Sequence, residues 1–399
     1  MKSEQSLIPD FDTYPITQKV LRAEIVPDGV LVHWGDGLAS RLHKFWLREN
    51  SPDGATMHPE SREQQLLLTD IPDDLQAAEV APTGDGGLYV RWKPDGQESR
   101  YHPGWLRAHV PAAPANQHDA LPSRQTWTAA TLGALPSFAA DDIAKDDAAC
   151  GAWLEAIHIH GIALLTGLPS KPEVIFDIPA KIGPIRETNF GRAFDVRTDG
   201  PVTSNAFTAL GLPVHTDLCT REYLPGLQFL HCLRNDANGG ESILVDGFRI
   251  AQALRQEAPD LYEMLSSQPM IFANKARDTD YRFAAPMLTH DRNGDLIEVR
   301  LSPWLRAPLA TPFEITDKLY RGLRHFLRLC EDPTYRLIYR LRPGDMLAFD
   351  NRRLLHGRLA FDQQTGTRWL RGCYVELEEL HSRLRILARQ RRQAALAQS

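Results

Sequence analysis

The sequence predicts a mainly β protein with helical cover: a large β-sandwich or jelly-roll domain behind a small β-rich one. Three observations carry this. From about Ile16 to Val110, short alternating apolar runs are punctuated by "PDG", "GDG" and "KPDG", the mark of antiparallel strands joined by tight turns. The stretch Val110–Gln125, "VPAAPANQHDALPSRQ", has little periodicity and reads as a linker. Beyond it, short strand-like runs outnumber helical ones, and no strand leads into a Gly-rich phosphate loop. The expected domains are residues 1–110, a linker at 111–125, and residues 126–399 ending in a basic helix.

In the small domain the expected strands lie in "KVLRAEIVPDGVLVHW", "QLLLTDI" and "GGLYVRWK". In the large domain a helix is expected near Ala148–His158, stopped by Gly161, with "IALLTGL" as a buried strand after it. Further strands are expected in "PGLQFLHCL", "ESILVDGF", "EVRLSP", "RLIYRLRPGDMLAFD", "LLHGRLAF" and "RWLRGCYVEL". Helices are expected at Phe248–Ser266, at Pro312–Cys330 and in "HSRLRILARQRRQAALAQS".

The bulk properties narrow the function. A net charge of −6 argues against a nucleic-acid partner, which needs a basic face. No apolar run is long enough for a membrane span, and the N-terminus has no secretory core. Five cysteines without close pairs suit free thiols in a reducing cytoplasm. There is no Gly-x-Ser-x-Gly elbow.

Chemistry enters at "GLPVHTDL". Residues two apart on a strand point to one side, so His215 and Asp217 can reach a common metal. A surface turn would look the same, and the pair alone decides nothing. His356 in "MLAFDNRRLLHGRLAF" is the candidate third ligand. Two histidines and a carboxylate on one face form the arrangement of non-haem iron(II) oxygenases, with positions left for cosubstrate and dioxygen. Arg368, on the following strand, supplies the fork that a dicarboxylate cosubstrate needs. Arg371 is the fallback; an odd spacing puts the two on opposite faces, so at most one enters the site. A binding protein lacking an iron ligand or the arginine, and a zinc hydrolase with the same three ligands, are the rival classes.

The order His-Thr-Asp, "PGLQFLHCL", "GGESILVDGF", "GDMLAFDNRRLLHGR" and Arg-x-Leu-x-Gly-x-Tyr resembles the γ-butyrobetaine dioxygenase and trimethyllysine dioxygenase branch of the taurine-dioxygenase-like 2-oxoglutarate oxygenases. The resemblance spans nearly the whole chain. It implies a double-stranded β-helix holding Fe(II) on His215, Asp217 and His356, with 2-oxoglutarate and O2 as cosubstrates. It places Arg368 on the distal carboxylate of 2-oxoglutarate, with Ser242 beside it. It places Phe190, Phe194, Phe207 and Tyr374 around a trimethylammonium group, a cation best met by aromatic faces. Ser204, Asn205 and Arg306 are the candidates for the anionic end. The implied substrate is γ-butyrobetaine, hydroxylated to carnitine. The alternative is 2-(trimethylammonio)ethylphosphonate, since arginine suits planar and tetrahedral oxyanions alike. A homodimer is expected. The branch often holds a structural zinc on cysteines of its small domain; here Ser51, Asp53 and Thr56 stand at those positions, and Gln97 or His102 at the later histidine. Without thiolates no structural zinc is expected, a weak Asp53, His58 and His102 site being the alternative.

Overall fold

The structure is a computed structural model, and it describes residues 7–110, 121–198 and 208–398. The chain divides into two compact units, Met1–Ala120 with Leu387–Ser399, and Leu121–Ile386.

The first unit holds two three-stranded antiparallel sheets, Val20–Val26, Gly29–Trp34 and Ala39–His43, and Gln76–Pro82, Leu88–Lys93 and Glu98–Tyr101. Inward residues such as Val30, Val32, Trp34, Leu88, Val90 and Trp92 make one core. The run "QLLLTDI" is not a strand. It forms a 3-10 turn at Leu68–Asp70 with Leu67 and Leu68 exposed, because its leucines are consecutive rather than alternating and no edge pairs with it. Strands Ala39–His43 and Glu98–Tyr101 have only two inward residues each, one of them a serine (Ser40 and Ser99), so their apolar alternation is too short to read from the sequence.

The second unit begins earlier than the expected 126, since its leading segment is pinned: Gln125 N–H donates to Ile159 O at 2.8 Å and Trp127 N–H to Asp246 at 3.0 Å. The expected linker at 111–120 lies outside the described residues. The basic helix runs Leu377–Gln398, and from Leu387 onward it counts with the first unit, where Arg392 pairs with Asp12 at 2.7 Å.

Two sheets form the sandwich of the second unit. The larger runs in the order Phe194–Val196, Arg368–Val375, Leu227–Asn235, Met346–Asp350, Ile162–Thr166 and Ser137–Ala139, with Ile185–Arg186 also on Arg368–Val375. The smaller runs Leu212–His215, Leu354–Arg358, Ser242–Asp246 and Leu337–Tyr339. Every strand pair within the smaller sheet is antiparallel. Leu244 and Leu354 from it meet Leu230, Leu347, Phe349 and Leu370 of the larger sheet in an inner core. The alternate residues Ile243, Val245 and Leu355 turn outward and are covered by Gly247–Glu257, Pro259–Ser267 and Phe313–Glu331. This is the double-stranded β-helix with helical cover that the sequence predicts. The expected helix Phe248–Ser266 is broken in two, because Pro259 cannot donate to the preceding turn. Helix Asp147–His160 is capped by Asp146 and stopped by Gly161, φ 75°. A Cβ there would stand 2.9 Å from Arg353 Cδ.

Candidate metal centre and cosubstrate site

His215 and His356 are direct cross-strand partners in the smaller sheet, which places their rings side by side, centroids 4.4 Å apart. Asp217 follows at the strand end, where the chain turns through Leu218 in the left-handed region, φ 53°. Among the described residues this trio is the one group of three or more His, Cys, Asp or Glu side chains whose ligand atoms converge, all within 4.8 Å of one another.

The turn is held hard. Asn351, fully buried, accepts from Asp217 N–H at 2.8 Å and donates to Asp217 O at 3.1 Å. Thr216 exchanges hydrogen bonds with the main chain of Leu301. Arg300 donates to the carbonyls of Cys219, Arg221 and Glu222, which fixes the loop that follows.

The three ligand groups are in a state that suits a cation. His215 Nδ1 lies 3.0 Å from Pro213 O and donates to it, which turns Nε2 toward the other two groups. Burial and the neighbouring His215 push the His356 imidazole down to about 3, against the pull of Asp217, so it is neutral. Burial alone would raise Asp217, but the hydrogen bonds and charge of His215, His356 and Tyr374 hold it well below the usual carboxylate range. Asp217 Oδ1 lies 3.2 Å from His215 Nε2 and 3.7 Å from His356 Nε2. Two imidazole nitrogens and a carboxylate oxygen thus face one another. That donor set fits Fe(II), and the metal would sit on His215, Asp217 and His356.

Arg368 is 5% exposed on the inward face of its strand. Its Nε donates to Gly240 O at 3.1 Å, and Gly240, φ 75°, leaves the room it needs: a Cβ there would lie 3.0 Å from Arg368 Cδ. No carboxylate pairs with it among the described residues. Burial, with Arg358 and Arg340 nearby, pushes its guanidinium down to about 9. A buried guanidinium among like charges, with no acid of its own, is built to receive one. Ser242, also buried, starts the strand two residues past Gly240. Arg371 faces the other way and pairs with Asp195 at 3.4 Å.

Of the residues expected around the substrate, the structure brings Phe194 and Tyr374 together, stacked with centroids 5.1 Å apart. The Tyr374 hydroxyl donates to Asp217 Oδ2 at 2.7 Å. Phe190 stands 48% exposed on the Thr188–Gly191 turn. Ser204, Asn205 and Phe207 lie outside the described residues. Arg306 is half-buried, with its Nε unpartnered among the described residues and its guanidinium pushed down by burial. Sequence reasoning missed Gln228, Asn351 and Trp304. Gln228 donates to Asp217 Oδ2 at 2.8 Å, and the Trp304 ring lies 4.9 Å from His215. The signal for Gln228 was a lone amide inside the apolar run "GLQFLHCL", since a buried amide needs a polar partner.

A double-stranded β-helix with two histidines and a carboxylate on one face and a buried, acid-free arginine has the arrangement of a non-haem Fe(II), 2-oxoglutarate-dependent dioxygenase. Residues 122–374 match the family described as taurine catabolism dioxygenase TauD, TfdA family, and residues 27–107 match the γ-butyrobetaine hydroxylase-like N-terminal domain. The chain belongs to the TauD/TfdA dioxygenase family. It is 43% identical to a γ-butyrobetaine dioxygenase of Pseudomonas sp. (strain AK-1), over 96% of this chain and 100% of that one. It is 29% identical to a trimethyllysine dioxygenase of Meyerozyma guilliermondii, over 92% and 96%. It is 28% identical to the γ-butyrobetaine dioxygenase of Homo sapiens, over 89% and 93%. No helix among the described residues is long and apolar enough to cross a membrane.

Proposed function

We propose that this dioxygenase hydroxylates γ-butyrobetaine, giving carnitine. The observation that carries the substrate is the end-to-end likeness to the Pseudomonas enzyme, which includes both units. Bound iron supplies the oxidation, with 2-oxoglutarate and dioxygen as cosubstrates. The chain supplies placement. His215 Nε2, His356 and Asp217 Oδ1 would hold the metal. Arg368 takes the distal carboxylate of 2-oxoglutarate as a charge-assisted pair, with the Ser242 hydroxyl beside it. The Phe194 and Tyr374 pair offers a π face to the trimethylammonium group. Arg306, its Nε unpartnered among the described residues, receives the carboxylate. Two anchored ends fix which carbon faces the iron.

The reading includes a homodimer, which sedimentation tests, and a cytoplasmic setting, which five unpaired thiols favour. The test of substrate is succinate formation from 2-oxoglutarate with γ-butyrobetaine, trimethyllysine or 2-(trimethylammonio)ethylphosphonate, in wild type and Arg306→Ala. Stimulation by γ-butyrobetaine above the others, with a raised KM in the variant, is expected. Preference for the phosphonate would overturn the substrate and keep the reaction.

A further inference from the structure

The carboxylate of Asp217 is held asymmetrically. Oδ1 faces the two imidazoles, while Oδ2 accepts from Tyr374 Oη at 2.7 Å and from Gln228 Nε2 at 2.8 Å. We infer that Gln228 and Tyr374 are positioning residues for the metal: together they hold Oδ2 back, so that Asp217 binds through Oδ1 alone and a ligand position is kept for cosubstrate. The inference rests on the reading of His215, Asp217 and His356 as the metal centre.

Three features separate this role from ordinary packing. First, the two donors come from neighbouring strands of the larger sheet, where Gln228 and Tyr374 are cross-strand partners, whereas Asp217 follows a strand of the smaller sheet. The paired strands therefore present both donors side by side to one oxygen. Second, a carboxylate only accepts, so the Gln228 amide must turn Nε2 to it. Its Oε1 is then buried without a donor among the described residues, although the side chain is 1% exposed. A glutamine kept for packing would have both ends satisfied; this one is satisfied only toward Asp217. Third, the Tyr374 ring is locked by its stack on Phe194, and Phe194 is seated over Gly372, where a Cβ would come within 2.5 Å of the ring.

A metal-bound carboxylate with an unrestrained second oxygen can close onto the ion and fill a position that this reaction needs. The experiment is titration of metal-free wild type, Tyr374→Phe and Gln228→Leu with Mn(II), together with the visible spectrum of each protein loaded with Co(II). Melting of the metal-free forms controls for folding. Each variant is expected to bind Mn(II) about 10- to 100-fold more weakly. Its Co(II) absorption should weaken as coordination number rises. Tyr374→Phe keeps the ring stack and decides the matter alone if Gln228→Leu does not fold. Affinities within about twofold of wild type, with unchanged Co(II) spectra, would overturn the inference and leave the metal centre standing. Failure of wild type itself to bind Mn(II) would instead remove the metal centre and the inference with it.

Discussion

The two units each bury a polar cluster, and the clusters differ in how their polar atoms are partnered. In the first unit the donors and acceptors form a closed chain. Trp92 Nε1 donates to Ser99, Ser99 meets Ser51, and Ser51 meets Asp53. From the other end Arg48 donates to Thr56, and Thr56 to Asp53. Ser51, Thr56 and Ser99 are fully buried. Every polar atom on that path meets its opposite. His58 and His102 are occupied as acceptors for main-chain N–H groups, His102 as a helix cap. In the second unit, two imidazole nitrogens and a carboxylate oxygen converge on one another instead of being matched one to one. Metal-ligating groups aimed at one point suit a cation; hydroxyls and an indole N–H matched to their acceptors do not.

The largest effect comes from breaking the converging set. Asp217→Ala should lower oxygenase turnover by at least about a thousandfold and abolish stoichiometric metal binding, read by metal content after dialysis. Residual binding at full stoichiometry would move the centre elsewhere. Next is Arg368→Lys, which keeps the charge and loses the fork. Its KM for 2-oxoglutarate should rise about 10- to 100-fold while Mn(II) affinity holds, and an unchanged KM would remove the arginine from the cosubstrate. The closed cluster should respond in stability instead. Arg48→Ala leaves the Thr56 hydroxyl short of a buried donor and Asp95 without its cation, and should destabilise the first unit by about 2 kcal/mol in denaturant titration. A chelator should leave that unit's melting unchanged in wild type; a chelator-induced drop would show that the cluster holds a metal after all.

The smallest effect concerns His231, fully buried with neither ring nitrogen partnered among the described residues. Burial pushes it from 6.5 down to about 4. The folded state therefore binds fewer protons than the unfolded one in that window, and stability falls as pH drops from about 6.5 towards about 4. His231→Leu should flatten that slope in the metal-free protein, measured by denaturant midpoints across the window. An unaltered slope would assign the pH dependence to other groups.

Much of this was legible in the sequence because periodicity and composition report what a segment buries. Strands such as Leu227–Asn235 and Met346–Asp350 announce themselves as apolar runs, and Gly161 marks a helix stop by its own backbone limits, whereas the expected helix Phe248–Ser266 runs through the break at Pro259. His215, Asp217 and His356 could be paired only because spacing and strand order suggested a shared face; their cross-strand register is a tertiary fact. What stayed hidden has a common cause. Gln228, Asn351 and Trp304 act through partners distant in the chain, and nothing in their neighbours' sequence names those partners. The chain Trp92–Ser99–Ser51–Asp53 was likewise invisible, since Ser99 looks like any strand serine until its neighbours are known.

The most direct test of the account is the coupling between substrate and cosubstrate in the iron-loaded wild type. Succinate is measured with 2-oxoglutarate and dioxygen, with and without γ-butyrobetaine, alongside consumption of that substrate. The account predicts succinate formed mole for mole with γ-butyrobetaine consumed, and little without it. Succinate formation indifferent to γ-butyrobetaine, with none of it consumed, would contradict it.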